Sequence, residues 1–378
     1  MRFFRLLLFT LVFSFSAAAV VAQQTKNHAL YTVGMTTRAF VGGARRNWQD
    51  TGPRPLNTVI WYPAVSGAPL GSLPEDPKFF GNPAFGKFFV QIPVAFNAPL
   101  LIGTQKRPLI LLSHGSSGIG LEFLWLGTYL ASHGYIVAAV NHHGNTAAEG
   151  QLLAQGFLEW ERPEDLTAVL NKLLADPVFG RQIDPNRIGA AGHSAGGATV
   201  IQIAGGIYNF DAIRDYCNSP QSKGDATCEP RELIRKSVAQ LEELRKTDPV
   251  VQASFLQQHE SHRDPRVKAV FAMAPAIGPA FTPQALRAID IPVQIVVGDA
   301  DDVAPMATNA EYFAKLIKGA RLTVLPHVGH MTFGSECTPL GKEKLDGCRD
   351  GAGVDRAAIH REVEEQVLAF FGSVWAQE

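Results

Sequence analysis

Residues 187–204 read RIGAAGHSAGGATVIQIA, and this stretch decides the fold. An apolar run of strand length leads into the pentapeptide from Gly192 to Gly196, which has the pattern G-x-S-x-G. A run of small and apolar residues suited to a helix follows. A strand, a tight turn and a helix in this order lift a serine hydroxyl to the carboxyl end of the strand, and only residues without bulk fit beside it.

Ser194 stands at the centre of this turn and at the start of the helix. Backbone N–H groups at a helix N-terminus face any negative charge that develops there. The context therefore predicts that Ser194 is a nucleophile. The alternative is a glycine-rich turn that carries an ordinary serine.

A serine nucleophile needs a base, and the base needs an acid that orients it. On folds with this turn the acid and then the histidine follow the serine along the chain. The apolar run VQIVVG ends in a carboxylate loop that contains Asp299, Asp301 and Asp302. The spacing G-x-x-D-x-x-x-P from Gly298 to Pro305 favours Asp301, and the other two remain alternatives.

Three histidines lie beyond this loop and compete for the role of the base. His330 follows an apolar run and a glycine in LPHVGHMTF, which predicts a loop at the edge of a sheet. His327 suits a packing role, and His360 is expected on the surface of the last helix. His330 is therefore the predicted base.

A third element follows the apolar run PLILL and reads LSHGSSG over residues 112–118. The glycine after the strand allows the backbone to turn an N–H group toward the serine. We expect the backbone N–H groups of Ser116 and Ala195 to form an oxyanion hole. The alternative is an ordinary turn between a strand and a helix.

Apolar runs of strand length alternate with helical patterns, which predicts a mostly parallel sheet with helices on both faces. The predicted strands are 58–62, 108–113, 136–141, 187–193, 267–273, 293–297 and 321–325. The predicted helices are 121–133, 163–175, 195–204, 306–317 and 356–371.

Two long segments interrupt the alternation. Residues 63–107 are rich in Pro, Gly and Phe, and residues 207–265 contain a charged helical stretch at 231–259. Loops of this length are uncommon unless they are functional or disordered. We expect a catalytic domain over residues 30–372, with a lid inserted at 207–265 favoured over one at 63–107.

The N-terminus carries the features of an export signal. Arg2 and Arg5 precede a short apolar run, and small residues lead to Ala22. The run is short for a membrane span, so residues 1–22 are predicted to be a cleaved signal peptide, with a retained anchor as the alternative. No second run is long enough to span a bilayer, so no integral membrane domain is expected after cleavage.

Four cysteines agree with export to the periplasm or the exterior. They form two groups, each with a spacing of eleven positions: Cys217 and Cys228, and Cys337 and Cys348. Local pairing would close two short loops in an oxidising compartment. Four free thiols are the alternative, and the spacing does not suit zinc.

Charge and histidine patterns exclude other classes. With 34 Lys plus Arg against 35 Asp plus Glu, the chain lacks the basic excess typical of a nucleic-acid partner. His142 and His143 are adjacent on a predicted strand and point to opposite faces, which argues against a shared metal; one of them could lie at the rim of the site. His259 and His262 have helical spacing without a carboxylate partner motif. No metal or organic cofactor is expected.

The motifs VIWYP, LLSHGSSG and GHSAGG together resemble those of the α/β-hydrolase superfamily over residues 30–372. Within it, the chain is similar to exported dienelactone-hydrolase-like proteins and platelet-activating-factor acetylhydrolases. The resemblance implies Ser194 as nucleophile, Asp301 as acid and His330 as base, with backbone donors at Ser116 and Ala195. Dienelactone hydrolases use a cysteine nucleophile, so the serine in this chain argues against a dienelactone substrate.

These patterns together predict a serine hydrolase that cleaves carboxylic esters, with short-acyl or lipid esters as candidate substrates. A peptidase or amidase on the same fold is one alternative. A catalytically silent fold that serves as a binding module is the other.

Overall fold

The structure is a computed structural model, and it describes residues 30–150, 153–229 and 232–376. The described residues from Tyr31 onward form one compact unit, to which Leu30 does not belong. The predicted signal peptide at 1–22 therefore lies outside the described residues. Within the described part of the chain, no helix combines the length and apolarity needed to cross a bilayer.

One sheet of nine strands organises the described residues. Its strands are β1 (Val33–Arg46), β2 (Pro53–Pro63), β3 (Ala95–Phe96), β4 (Arg107–Ser113), β5 (Ile136–Val140), β6 (Ile183–His193), β7 (Val267–Met273), β8 (Val293–Gly298) and β9 (Arg321–Leu325). They lie in the order β3-β1-β2-β5-β4-β6-β7-β8-β9. From β5 to β9 all neighbours are parallel, whereas β2 is antiparallel to both β1 and β5.

Helices connect and cover the strands. The α-helices of the described residues are α1 (Pro77–Phe80), α2 (Pro83–Gly86), α3 (Leu124–Ser132), α4 (Glu161–Ala175), α5 (Ala195–Ile203), α6 (Phe210–Cys217), α7 (Glu232–Thr247), α8 (Pro249–Phe255), α9 (Pro283–Arg287), α10 (Ala310–Leu316), α11 (Pro339–Lys344) and α12 (Arg356–Trp375). Strands β5 and β8 are buried along their whole length. Since successive side chains point to opposite faces, both faces of the sheet are covered, as the continuous apolar runs predict.

The predicted strands and helices are confirmed with shifts at their ends, but β1 and the two-residue β3 were missed. Strand β1 carries arginines and glycines, and much of it is exposed, so it shows neither a continuous apolar run nor a clean alternation. Strand β1 is held in the sheet by antiparallel pairing with β2, which extends from Val33 opposite Pro63 to Arg46 opposite Pro53. Edge pairing of this kind depends on the neighbouring strand more than on local sequence.

The charged stretch at 231–259 forms two helices instead of one. Helix α7 ends at Thr247, and the side chain of Asp248 accepts hydrogen bonds from the N–H groups of Val250 and Val251 at the start of α8. Pro249 occupies the first turn of α8, where its missing N–H costs nothing. An N-cap followed by proline therefore divides the stretch.

Close contact between α3 and the sheet requires a glycine. A Cβ atom on Gly127 would lie 2.5 Å from the ring of Trp61, which is fully buried in β2. Gly372 in α12 is exposed, and a Cβ atom added to it would have no neighbouring atom within 4 Å outside its own helix backbone. These two helical glycines form a matched pair for testing the packing.

We expect Gly127→Ala to lower the free energy of unfolding by about 1–3 kcal/mol, because the added methyl group overpacks against Trp61. Gly372→Ala is expected to raise it by roughly 0.5–1 kcal/mol, because alanine loses less backbone entropy in a helix. Denaturant unfolding of both variants measures the difference. Equal effects of the two substitutions would contradict the packing described for α3.

Candidate active site

Ser194 lies at the junction of β6 and α5 in a strained backbone conformation. Its φ is 57° and its ψ is −121°, a region that costs a residue with a Cβ about 1–3 kcal/mol. Its N–H donates to the carbonyl of Met273 at 3.0 Å, and its own carbonyl accepts from Ala276 and Ala198 at 3.2 and 3.1 Å. Three backbone hydrogen bonds therefore hold the serine in place.

The two glycines of the motif are required by contact with β4. A Cβ atom on Gly196 would lie 1.8 Å from the carbonyl oxygen of Ser113, and one on Gly192 would lie 2.3 Å from the carbonyl oxygen of Gly196. Any side chain at either position would push the turn away from β4. The sequence pattern therefore reflects a backbone-to-backbone contact that only glycine permits.

His330 and Asp301 form a buried pair beyond the ends of β9 and β8. His330 Nδ1 lies 2.7 Å from Asp301 Oδ2, and the two side chains are 2% and 1% exposed. The other carboxylate oxygen, Oδ1, accepts hydrogen bonds from the N–H groups of Val303 and Ala304 at 3.0 and 2.7 Å. These turn contacts aim Oδ2 at the imidazole and fix the orientation of the ring.

The remaining sequence candidates are placed differently. Asp299 is exposed and accepts a hydrogen bond from the N–H of His327, whereas Asp302 is exposed and lines the cavity that also contains Ser194. The expectation that His360 lies on the surface is wrong. Its side chain is buried, stacks on Trp125 with ring centroids 4.2 Å apart, and contacts the carbonyl of Thr332. An apolar face of α12 turned toward α3 explains its burial.

Burial lowers the pKa of His330 below its ordinary value, and the hydrogen bond to Asp301 opposes this shift. The imidazole is therefore neutral at neutral pH. A carboxylate only accepts hydrogen bonds, so Nδ1 carries the proton and Nε2 keeps a free lone pair. A neutral ring with this tautomer is suited to accept a proton.

The loop after β4 lies directly against the serine. A Cβ atom on Gly115 would be 3.4 Å from Ser194 Cβ. The N–H of Ser117 donates to Asn145 Oδ1 at 2.6 Å, whereas the N–H groups of Ser116 and Ala195 donate to no other atom of the described residues. Both of these N–H groups are therefore free to bind an anion or a polarised carbonyl.

A cavity of about 1290 Å³ brings these groups together. Ser194, His330, Ser116 and Ala195 all line it. Most of its surface is apolar, with walls from Phe89, Trp125, Phe157, Ile277, Val303 and Met331, among others. Asp301 does not line the cavity and lies behind the histidine.

The first of the two long segments contributes most of the inserted wall. Phe80, Gly81, Asn82 and Gly86, together with residues 89–92, line the cavity, whereas the described residues of the segment 207–265 contribute only Ala226, Thr227 and Glu229. The sequence favoured 207–265 over 63–107 as the lid, and that expectation stays a prediction, since the composition of 63–107 does not say what it packs on. Backbone hydrogen bonds from Val90 to Glu336 and from Thr338 to Phe88 join it to the opposite wall.

Two disulfides close short loops near this wall and in the second segment. Cys217 pairs with Cys228 and Cys337 with Cys348, with Cα–Cα distances of 5.2 and 5.8 Å. Among the four cysteines only Cys348 lines the cavity. The second disulfide thus ties down a segment that forms part of the site.

His142 and His143 bind different carboxylates, although they lie in the turn after β5 and not on the strand. His142 is buried with Nδ1 3.0 Å from Asp165 and Nε2 2.9 Å from Ser113 Oγ, and burial lowers its pKa to about 3. His143 contacts Glu149 at 2.8 Å. Neither histidine lines the cavity, so both lie behind the site.

Sequence reasoning missed His193, which occupies the second position of the G-x-S-x-G motif. Its Nε2 contacts the carbonyl oxygen of His330 at 3.0 Å, and its Nδ1 lies 3.3 Å from Glu122. The two histidine rings have centroids 4.8 Å apart. His193 therefore links the serine turn to the loop of His330, and the variable position of a motif gives no signal of such a contact.

The model of the alpha/beta hydrolase family matches residues 109–338. The match extends over more than half of the chain and contains the serine turn, the carboxylate loop and His330. The nine-stranded, mostly parallel sheet with Ser194 between β6 and α5 agrees with it. The chain belongs to the alpha/beta hydrolase family.

Several named proteins are similar to parts of it. Platelet-activating factor acetylhydrolase from Canis lupus familiaris is 31% identical in an alignment of 247 positions that covers 49% of this chain and 53% of that protein. Cutinase est2 from Thermobifida alba is 28% identical over 160 residues, which are 42% of this chain and 46% of that protein. The aligned parts span about half the length of these relatives.

A solved structure is similar over most of the chain. The ferulic acid esterase from Streptomyces cinnamoneus has a TM-score of 0.60 at 22% identity and covers 93% of this chain and 91% of its own. At this identity the likeness concerns the fold.

We expect Asp301→Asn to lower the pKa of His330 further, because the carboxylate stabilises the imidazolium by its charge and its hydrogen bond. Asp302→Asn is the matched control, since Asp302 is exposed and its weaker attraction gives a smaller fall. An NMR titration of the imidazole measures the pKa in each variant. A rise in the pKa on Asp301→Asn would show that the pair is arranged differently.

Proposed function

We propose that the protein is a serine hydrolase that cleaves carboxylic esters through an acyl-enzyme intermediate. One observation carries the proposal: a serine in a strained turn shares a cavity with a neutral histidine, whose Nδ1 is held 2.7 Å from a buried carboxylate. Ser194, His330 and Asp301 are the proposed triad. The Ser116 and Ala195 N–H groups are the proposed oxyanion hole.

The proposed reaction has two halves of the same form. His330 Nε2 accepts the hydroxyl proton of Ser194 as Oγ attacks the ester carbonyl. The carbonyl oxygen becomes an oxyanion and accepts hydrogen bonds from the two N–H groups. The intermediate collapses, the bond to the alcohol breaks, and His330 returns the proton to the leaving oxygen. Water then attacks the acyl-enzyme in the same way and releases the acid and the free serine.

Esters are the proposed bond type because most of the similar sequences carry names of ester-cleaving enzymes. Platelet-activating factor acetylhydrolases and cutinases recur among them. The cavity adds a size class: its volume of about 1290 Å³ and its mostly apolar walls suit an ester with a bulky apolar part. Lipid esters fit this description better than acetate esters of small alcohols.

We also propose export and a single catalytic domain over residues 30–372 with the insert 207–265. Two disulfides support an oxidising compartment. The charged, apolar and small-residue order of residues 1–22 supports a cleaved signal peptide, although these residues lie outside the described part of the chain.

We expect Ser194→Ala to reduce kcat for p-nitrophenyl butyrate by a factor on the order of 10⁴ or more. It should also abolish labelling by a fluorophosphonate probe. Ser335→Ala is the matched control, since Ser335 lines the same cavity and its hydroxyl donates to the carbonyl of Glu122. Ester turnover retained in Ser194→Ala, or a folded wild type that neither hydrolyses esters nor labels, would refute the proposal.

We expect kcat/KM to rise from acetyl to octanoyl esters of p-nitrophenol. Burial of each added CH2 group in the apolar cavity contributes about 0.8 kcal/mol of binding free energy. A series of acyl lengths from two to twelve carbons measures the profile. A maximum at acetate would contradict the size class while leaving the bond type intact.

A further inference from the structure

The two proposed oxyanion donors belong to separate segments. Ser116 lies in the loop after β4, and Ala195 is the first residue of α5. An oxyanion hole works only when both N–H groups point at one position about 3 Å away. Some contact must therefore fix the loop relative to the helix.

Arg162, in the first turn of α4, is buried behind both segments with 1% exposure. On the loop side its Nη2 donates to the carbonyl oxygen of His114 and lies 3.3 Å from Ser113 Oγ. The carbonyl of His114 is two residues before the Ser116 N–H. This contact holds the part of the backbone from which the donor turns.

On the helix side Arg162 Nε donates to Thr199 Oγ1 at 2.9 Å. The Thr199 hydroxyl in turn donates to the carbonyl oxygen of Ala195 at 2.8 Å. Ala195 is the residue whose N–H is the second proposed donor. One guanidinium thus binds the backbone of both segments that contain a proposed donor. It binds the loop after β4 directly and the start of α5 through the Thr199 hydroxyl.

The chemistry of the side chain suits this role. A guanidinium is planar and holds its donors in a rigid fork, so Nε and Nη2 fix their two partners at a set separation. Glu159 Oε2 lies 3.6 Å from Nε, and burial raises the pKa of this carboxyl group to about 7, so it is only partly ionised at neutral pH. A lysine has one nitrogen on a flexible stem and cannot hold both partners in the same geometry.

We propose that Arg162 is a positioning residue that sets the separation of the two oxyanion donors through His114 on one side and Thr199 on the other. The proposal rests on the proposed function of Ser194, His330 and the two N–H groups. Arg162 does not touch the substrate, and its effect reaches the reaction only through the backbone that it holds.

The test compares Arg162→Lys, Thr199→Val and Thr199→Ser with wild type in kcat and KM for p-nitrophenyl butyrate. We expect kcat to fall at least ~10-fold in Arg162→Lys and Thr199→Val, since misplacing a donor approaches the loss seen when one is removed. KM should stay within about threefold, because the oxyanion exists only beyond the ground state. Thr199→Ser keeps the hydroxyl and should restore kcat to within about twofold of wild type.

Arg107→Lys is the control for loss of a buried arginine. Arg107 also donates to carbonyl oxygens, those of Gly134 and Leu101, but contacts neither donor segment. Its variant should keep wild-type kcat. Thermal unfolding of each variant reports the fold, and Thr199→Val decides the matter if Arg162→Lys does not fold.

The outcomes separate the two proposals. If Arg162→Lys and Thr199→Val keep wild-type kcat while Ser194→Ala is inactive, the inference about Arg162 is wrong and the proposed function stands. The inference also fails if Thr199→Ser loses as much kcat as Thr199→Val, or if KM rises in step with the loss of kcat. A folded wild type without ester hydrolysis overturns both.

Discussion

The contact on which the structure of the site depends is between two backbones: the turn at Gly192 to Gly196 and the end of β4 at Ser113. With a Cβ atom on Gly196 only 1.8 Å from the Ser113 carbonyl, no other residue fits there. This contact brings the start of α5 beside the loop after β4. The loop contains one proposed oxyanion donor and the helix the other. The contact between Gly196 and Ser113 therefore brings the two proposed donors together.

The strained conformation of Ser194 is retained because its surroundings determine it from several sides. The β7 carbonyl of Met273 fixes its N–H, and α5 and the segment after β7 fix its carbonyl. An isolated turn would relax to a backbone conformation of lower energy. The structure can hold such strain because the serine lies where β6, β7 and α5 meet.

Polar groups behind the site form a buried network, while the cavity in front is largely apolar. Arg162, Ser113, His142 and Asp165 lie behind the serine turn and form a chain of hydrogen bonds that reaches the loop after β4. Burial makes each of these hydrogen bonds costly to break, since a buried polar group that loses its partner has no water molecule to bind in its place. The network therefore gives rigidity to the backbone donors, and the apolar front leaves room for the substrate.

The sequence by itself determined the sheet, the serine turn and the order of the proposed catalytic residues. Continuous apolar runs mark strands buried on both faces, and the glycines around Ser194 follow from the space available in a tight turn. Both are local constraints that the chain must satisfy wherever the rest of it packs. Motif spacing favoured Asp301, and the position after an apolar run and a glycine favoured His330; their side chains meet although they are 29 positions apart in the chain, and their catalytic roles stay a prediction.

Only the tertiary structure decided the edge strand β1, the burial of His360, the links made by His193 and Arg162, and the origin of the cavity walls. Each depends on a partner far away in sequence, such as Trp125 for His360 or Thr199 for Arg162. A periodic pattern records that a residue faces inward, but it does not record what lies opposite. The segment at 63–107 lines the cavity because of what it packs against, although the sequence favoured the segment 207–265 as the lid.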